Sequence, residues 1–90
     1  MINATMERLE RLLNEAKESN ARYFAIQVLI GGNPSNEIII NQRESFDEKL
    51  AYYKKTYDED LKHKFADIWI TDFIYGDSFD EIEKMLDWYE

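Results

Sequence analysis

Along the last stretch of the chain Asp80, Glu83, Asp87 and Glu90 recur at steps of three or four residues, so a helix would set all four carboxylates on one arc. Lys84 is the one base among them. A row of unneutralised acids attracts basic surfaces and repels phosphate backbones, because nucleic-acid affinity rests on Lys and Arg neutralising phosphates. Its bland counterpart is a solvated face that keeps the protein soluble. Phe79, Ile82, Met85, Leu86 and Tyr89 form an adjacent apolar arc; Trp88 falls off it, between Glu81 and Lys84, and Tyr52 is displaced in the same way from the apolar arc of an earlier helix. Aromatics so placed are typical interface anchors, since they bury much area at small rotamer cost, unless another element or a second copy covers them. Asp80, Glu83, Asp87, Glu90, Trp88 and Tyr52 are therefore the candidates for partner binding.

Other chemistry finds little support. His63 is the only histidine and is flanked by Lys62 and Lys64, which suits a solvated residue better than a zinc ligand or a general base. The absence of cysteine removes thiolate metal sites, disulfides and thiol nucleophiles together. Asp67 and Asp72 could serve as paired hydrolase carboxylates, but nothing in their spacing splits their pKa values. Gly31-Gly32-Asn33-Pro34 lacks the Gly-Lys-Ser/Thr ending of a phosphate loop and runs into a strand, so it reads as a hairpin turn. Asp58-Glu59-Asp60 lacks the glycine and the terminal glutamate of a calcium loop. The sequence thus points to a non-enzymatic protein with no cofactor and no metal.

The elements that would position these residues follow from periodicity. Met6, Leu9, Leu12, Leu13 and Ala16 lie on one arc of a helix spanning 5–19, with Glu7 and Arg11 paired on its outer side and Asn20 as its exit. Residues 22–30 alternate as a strand that is apolar on both faces, which suits the middle of a sheet. Residues 37–41 follow the turn and should complete an antiparallel hairpin. Ser45-Phe46-Asp47-Glu48 fits a capping box for a second helix, whose Phe46, Leu50, Tyr53 and Tyr57 share a face while Lys49, Tyr52 and Lys55 lie nearer solvent. A third strand over 65–75 would carry Asp72 onto the core face beside Ile68 and Ile70, so a bulge near Thr71 or an early end is expected. Ser78-Phe79-Asp80-Glu81 repeats the capping residues and opens the last helix. The expectation is one α+β domain of order α-β-β-α-β-α, a three-stranded sheet of order 2-1-3 with three helices, the link from second to third strand being a right-handed crossover if those strands are parallel.

Ninety residues fit one domain, and 44% hydrophobic side chains suffice for a core. The net charge of −8 is uneven: Phe65 to Glu90 holds eight acids and one base, whereas residues 1–64 hold 11 acids and 10 bases. Direct nucleic-acid binding by that last third is not expected; Lys54, Lys55, Lys62 and Lys64, near Tyr52, Tyr53 and Tyr57, form the one basic patch, interrupted by acids. No run approaches the about 18 apolar residues of a membrane span, and the first residues lack a basic start with an apolar run. A cytoplasmic protein is the expectation.

Gly32-Asn33-Pro34-Ser35-Asn36-Glu37-Ile38-Ile39-Ile40-Asn41, with Arg43-Glu44-Ser45-Phe46-Asp47-Glu48-Lys49-Leu50-Ala51-Tyr52-Tyr53-Lys54-Lys55 after it, resembles small proteins encoded by phages and prophages of Gram-positive bacteria. The resemblance brings no assigned active residues. It implies an infected or lysogenic bacterial cytoplasm, where small acidic accessory proteins act by binding a host or phage protein. The partner expected is a basic protein surface, with a homo-oligomer such as a homodimer, joined through Tyr52, Trp88 or a free sheet edge, as the alternative.

Overall fold

The computed structural model describes residues 4–31 and 36–86, the side chains of 36 and 83–86 excepted, and arranges them as α1 (Met6–Glu18), β1 (Tyr23–Ile30), β2 (Asn36–Gln42), α2 (Phe46–Thr56), β3 (Ile68–Gly76) and α3 (Phe79–Leu86). The class is α+β in the order read from the sequence. Most of the turn between β1 and β2 lies outside the described residues.

Thr5 opens α1, its hydroxyl accepting the Arg8 amide at 3.3 Å. The far end closes through Asn20, whose φ of 59° is left-handed. There the Asn20 amide donates to the Lys17 carbonyl and the Ala21 amide to the Ala16 carbonyl, which satisfies the last turn's acceptors. Asparagine tolerates this conformation because its short polar side chain bonds locally. Leu9, Leu13 and Ala16 are fully buried, and Glu7 meets Arg11 at 4.0 Å on the outer side.

The sheet has the order β2-β1-β3, with β1 antiparallel to both neighbours. A central place suits β1, whose two faces are both apolar. Phe24, Ile26 and Val28 join the main core with Leu9, Leu13 and Ala16 of α1, Phe46 and Tyr53 of α2, and Ile70 of β3. The alternate residues Tyr23 and Ala25 face the other way, onto Ile82 of α3. Two helices thus cover one face of the sheet and α3 covers part of the other. Because β2 and β3 both oppose β1, they run parallel to each other, and the α2 connection passes across β1.

The bulge falls at Thr71: Gln27 pairs with Asp72 but Val28 pairs with Ile70, leaving Thr71 as the extra residue. Its hydroxyl donates to the Gln27 carbonyl at 3.3 Å. Past the bulge the facing reverses, so Phe73 and Tyr75 join Ile68 and Ile70 against the main core. Asp72 goes to the α3 side, where it is buried next to Gln27.

Two local readings need correction. Ser45 does not cap α2: it has φ −103°, ψ 2° and no side-chain cap bond, because Arg43–Ser45 forms a tight 3-10 turn in which the Phe46 amide donates to the Arg43 carbonyl. Phe65 and Ala66 do not belong to β3, which begins at Ile68. After α2 the chain turns at Asp58, whose Oδ1 accepts the amides of Asp60 and Lys62. It then passes through Leu61 at φ 63° and lays Leu61 to His63 along the outer edge of β3. There the Ile70 amide donates to the Leu61 carbonyl and the His63 amide to the Ile68 carbonyl.

Candidate functional site

The start of α3 is tied to the end of the sheet by short local bonds. Gly76 ends β3, and a Cβ there would lie 2.7 Å from Glu81 Oε1 and 3.3 Å from Ile82 Cγ1, so glycine lets the helix close onto the strand. Ser78 Oγ accepts the Glu81 amide at 3.1 Å, and Glu81 Oε1 accepts the Asp77 amide at 3.4 Å. This is a capping box displaced by one residue on its return arm. Asp77 Oδ1 in turn accepts the Arg22 amide at 3.2 Å, fastening the turn to β1. Ile82, fully buried against Ala25 and flanked by Tyr23, Ile40 and Ile74, anchors the helix from below.

These constraints leave a definite group facing solvent. Asp77, Asp80 and Glu81 are exposed, and Asp80 and Glu81 lie in the first turn, where the helix dipole favours negative charge. Beside them Phe79 is 52% exposed, its ring centroid 4.8 Å from that of Tyr23. Ion pairs among the described residues join Glu7 to Arg11, Lys17 to Asp47 and Lys54 to Glu10; none reaches Asp77, Asp80 or Glu81. Around Tyr23 the same end of the sheet carries an open cleft of about 630 Å³ lined by Arg22, Tyr23, Gln42, Arg43 and Glu44. One end of the molecule therefore shows acids, an exposed aromatic ring and, across Tyr23, two arginines.

No known family, curated protein or solved structure matches this chain.

Of the residues singled out from the sequence, Asp80 lies at the exposed start of α3. Glu83 lies within α3, its side chain outside the description, and Asp87, Trp88 and Glu90 lie beyond the described residues. Tyr52 is 51% exposed on α2, where Lys49 Nζ stands 5.6 Å from its ring centroid. It belongs to the layer on the other face of the sheet from α3, so Tyr52 and Asp80 do not form one surface.

The helical wheel places Phe79 on the apolar arc with Ile82, so periodicity alone gives it no surface role. The wheel carries no information about where the sheet beneath it ends, and the first turn of α3 overhangs that end. Beyond the part that Ile82 covers, Leu29, Ile38 and Trp69 on the same face stay more than a third exposed, with Lys62 Nζ 5.4 Å from the Trp69 ring centroid. His63 is half-buried rather than solvated: its ring packs edge-on to Tyr57 at 5.2 Å, and its Nδ1 accepts the Phe65 amide at 3.0 Å. Phe65 itself is 86% exposed. Among the described residues no group of three His, Asp or Glu side chains is placed to hold a metal, and no helix is long and apolar enough to cross a membrane.

Proposed function

We propose that this chain is a non-enzymatic protein-binding module that presents the acidic start of α3, with Phe79 beside it, to a basic partner surface. The observation that carries the reading is the exposure of Asp77, Asp80 and Glu81 with no ion-pair partner among the described residues. A half-exposed aromatic ring next to them supplies apolar area that charge alone lacks. Glu83, Asp87 and Glu90 extend the acidic arc and Trp88 offers a second aromatic anchor if the helix continues in the same phase. The setting we propose is the cytoplasm of an infected or lysogenic bacterium, with a host or phage protein as the partner and neither nucleic acid nor membrane bound directly.

Exposed opposite charges are screened over about 8 Å at physiological ionic strength, so the complex should weaken with salt. The immobilised chain is used to capture proteins from a bacterial lysate at low and high salt, beside two triple variants of equal charge change. Reversal at Asp80, Glu83 and Asp87 is expected to lose the salt-sensitive partner, while reversal at Glu18, Glu44 and Glu59 keeps it. Equal retention by the two variants would reject the reading.

A further inference from the structure

The two outer strands of the sheet are finished differently. The edge of β3 is protected: Leu61 and His63 bond to Ile70 and Ile68 along it, and Thr71 interrupts its pairing with a bulge. Such devices keep an edge from templating another strand. β2 shows none of them among the described residues. It pairs with β1 in unbroken register from Asn36 to Gln42, contains no lysine or proline, and exposes Ile38 and Ile39 by 39% and 41%.

The direction of its free groups follows from the ladder. The Arg43 amide donates to the Arg22 carbonyl at 2.9 Å, so alternation along an antiparallel pair turns the amides and carbonyls of Asn41, Ile39 and Glu37 toward β1. Those of Ile38, Ile40 and Gln42 point away from the sheet. An antiparallel copy of β2 laid along this edge with a two-fold axis through Ile40 sets Ile40 against Ile40 and Ile38 against Gln42, all with outward-pointing groups. In the same register Glu37 stands directly opposite Arg43, and the symmetry makes that pair twice. Both side chains are exposed in the single chain, where Arg43, the first residue past β2, donates through Nη1 to the exposed Asn20 Oδ1, a surface bond that pairing with Glu37 would replace.

We infer that the outer edge of β2 is a homodimer interface, in which two copies join antiparallel about Ile40 into one continuous six-stranded sheet clasped by two Glu37–Arg43 pairs. This goes beyond the acidic-face reading and stands apart from it, since the start of α3 takes no part.

Sedimentation equilibrium of the full chain at high micromolar concentration tests the inference, with far-UV circular dichroism to verify folding. The wild type should sediment at twice the chain mass. Ile38→Pro removes an outward amide while sparing the bonds to β1, and should sediment as a monomer. Glu37→Arg and Arg43→Glu, each placing like charges opposite, should do the same, and the double variant Glu37→Arg/Arg43→Glu should recover the dimer. Should Ile38→Pro fail to fold, the charge series decides alone. A monomeric wild type, larger polydisperse assemblies, a dimer indifferent to the single charge variants, or a double variant that stays monomeric would each overturn it.

Discussion

The amide of Asn41 on β2 donates to the hydroxyl of Tyr53 on α2 at 2.8 Å, and both side chains are almost wholly withdrawn from solvent. This bond joins the edge of the sheet to the helix above it inside an otherwise apolar core. Tyr53→Phe would strand the buried Asn41 amide, which costs about 1–3 kcal/mol. Urea unfolding should show a lower midpoint with an unchanged slope, and no shift would mean that the bond is not formed in solution.

Burial raises the pKa of Tyr53 above the ordinary phenol value of 10.0, against the lowering effect of the Asn41 bond and with a further push from Tyr57 and Tyr52. Burial raises Tyr57 as well, with Tyr52 adding to it. The folded state therefore holds these protons more tightly than the unfolded chain, so stability is unaffected below pH about 10 and falls as the pH rises past the unfolded value toward the folded ones. Phenolate absorbance should reveal a late-titrating fraction of the tyrosines, with unfolding setting in over the same range. Simultaneous titration of all tyrosines at the ordinary value would contradict the burial.

Leu61 combines full burial with φ 63°, a conformation that costs an L-residue about 1–2 kcal/mol. Burial of its side chain offsets that strain and brings the carbonyl to β3. Leu61→Ala should destabilise by about 2–5 kcal/mol, as large-to-small core changes do. Leu61→Gly loses slightly more apolar surface but sheds the strain, so it should unfold at a urea concentration no lower than Leu61→Ala. A clearly less stable glycine variant would show that the backbone is not strained there.

Much of this fold could be read from the residues because local and tertiary preferences agree. The apolar arc of α1, the exit at Asn20 and the central place of β1 each follow from one periodicity or one side-chain type. Asp72 even exposed the bulge, since strict alternation would have driven a carboxylate into the main core. Ser45 and Ser78 mark where this stops. Both open the same four residue types, yet only Ser78 caps, because capping needs an extended backbone at the serine and the chain leaving β2 enters a 3-10 turn at Arg43. The third strand begins at Ile68 rather than Phe65, because the chain leaving the turn at Asp58 and Leu61 first lies along the outer edge of β3, which hydrophobic bulk alone does not reveal. At the candidate site Asp77 and Glu81 lie off the acidic arc read from the sequence, and of the exposed acids only Asp80 was legible. Phe79 and its contact with Tyr23 were not, because they depend on where two elements distant in sequence happen to end.

The reading of α3 as a docking face is tested most directly by amide chemical-shift mapping of the labelled chain as a lysine-rich peptide is added at low salt. The account predicts shifts concentrated on 77–82 and on Arg22 and Tyr23, collapsing as salt is raised. Shifts spread evenly over the acids of α1, Glu44 and Glu59, or none at the start of α3, would contradict it.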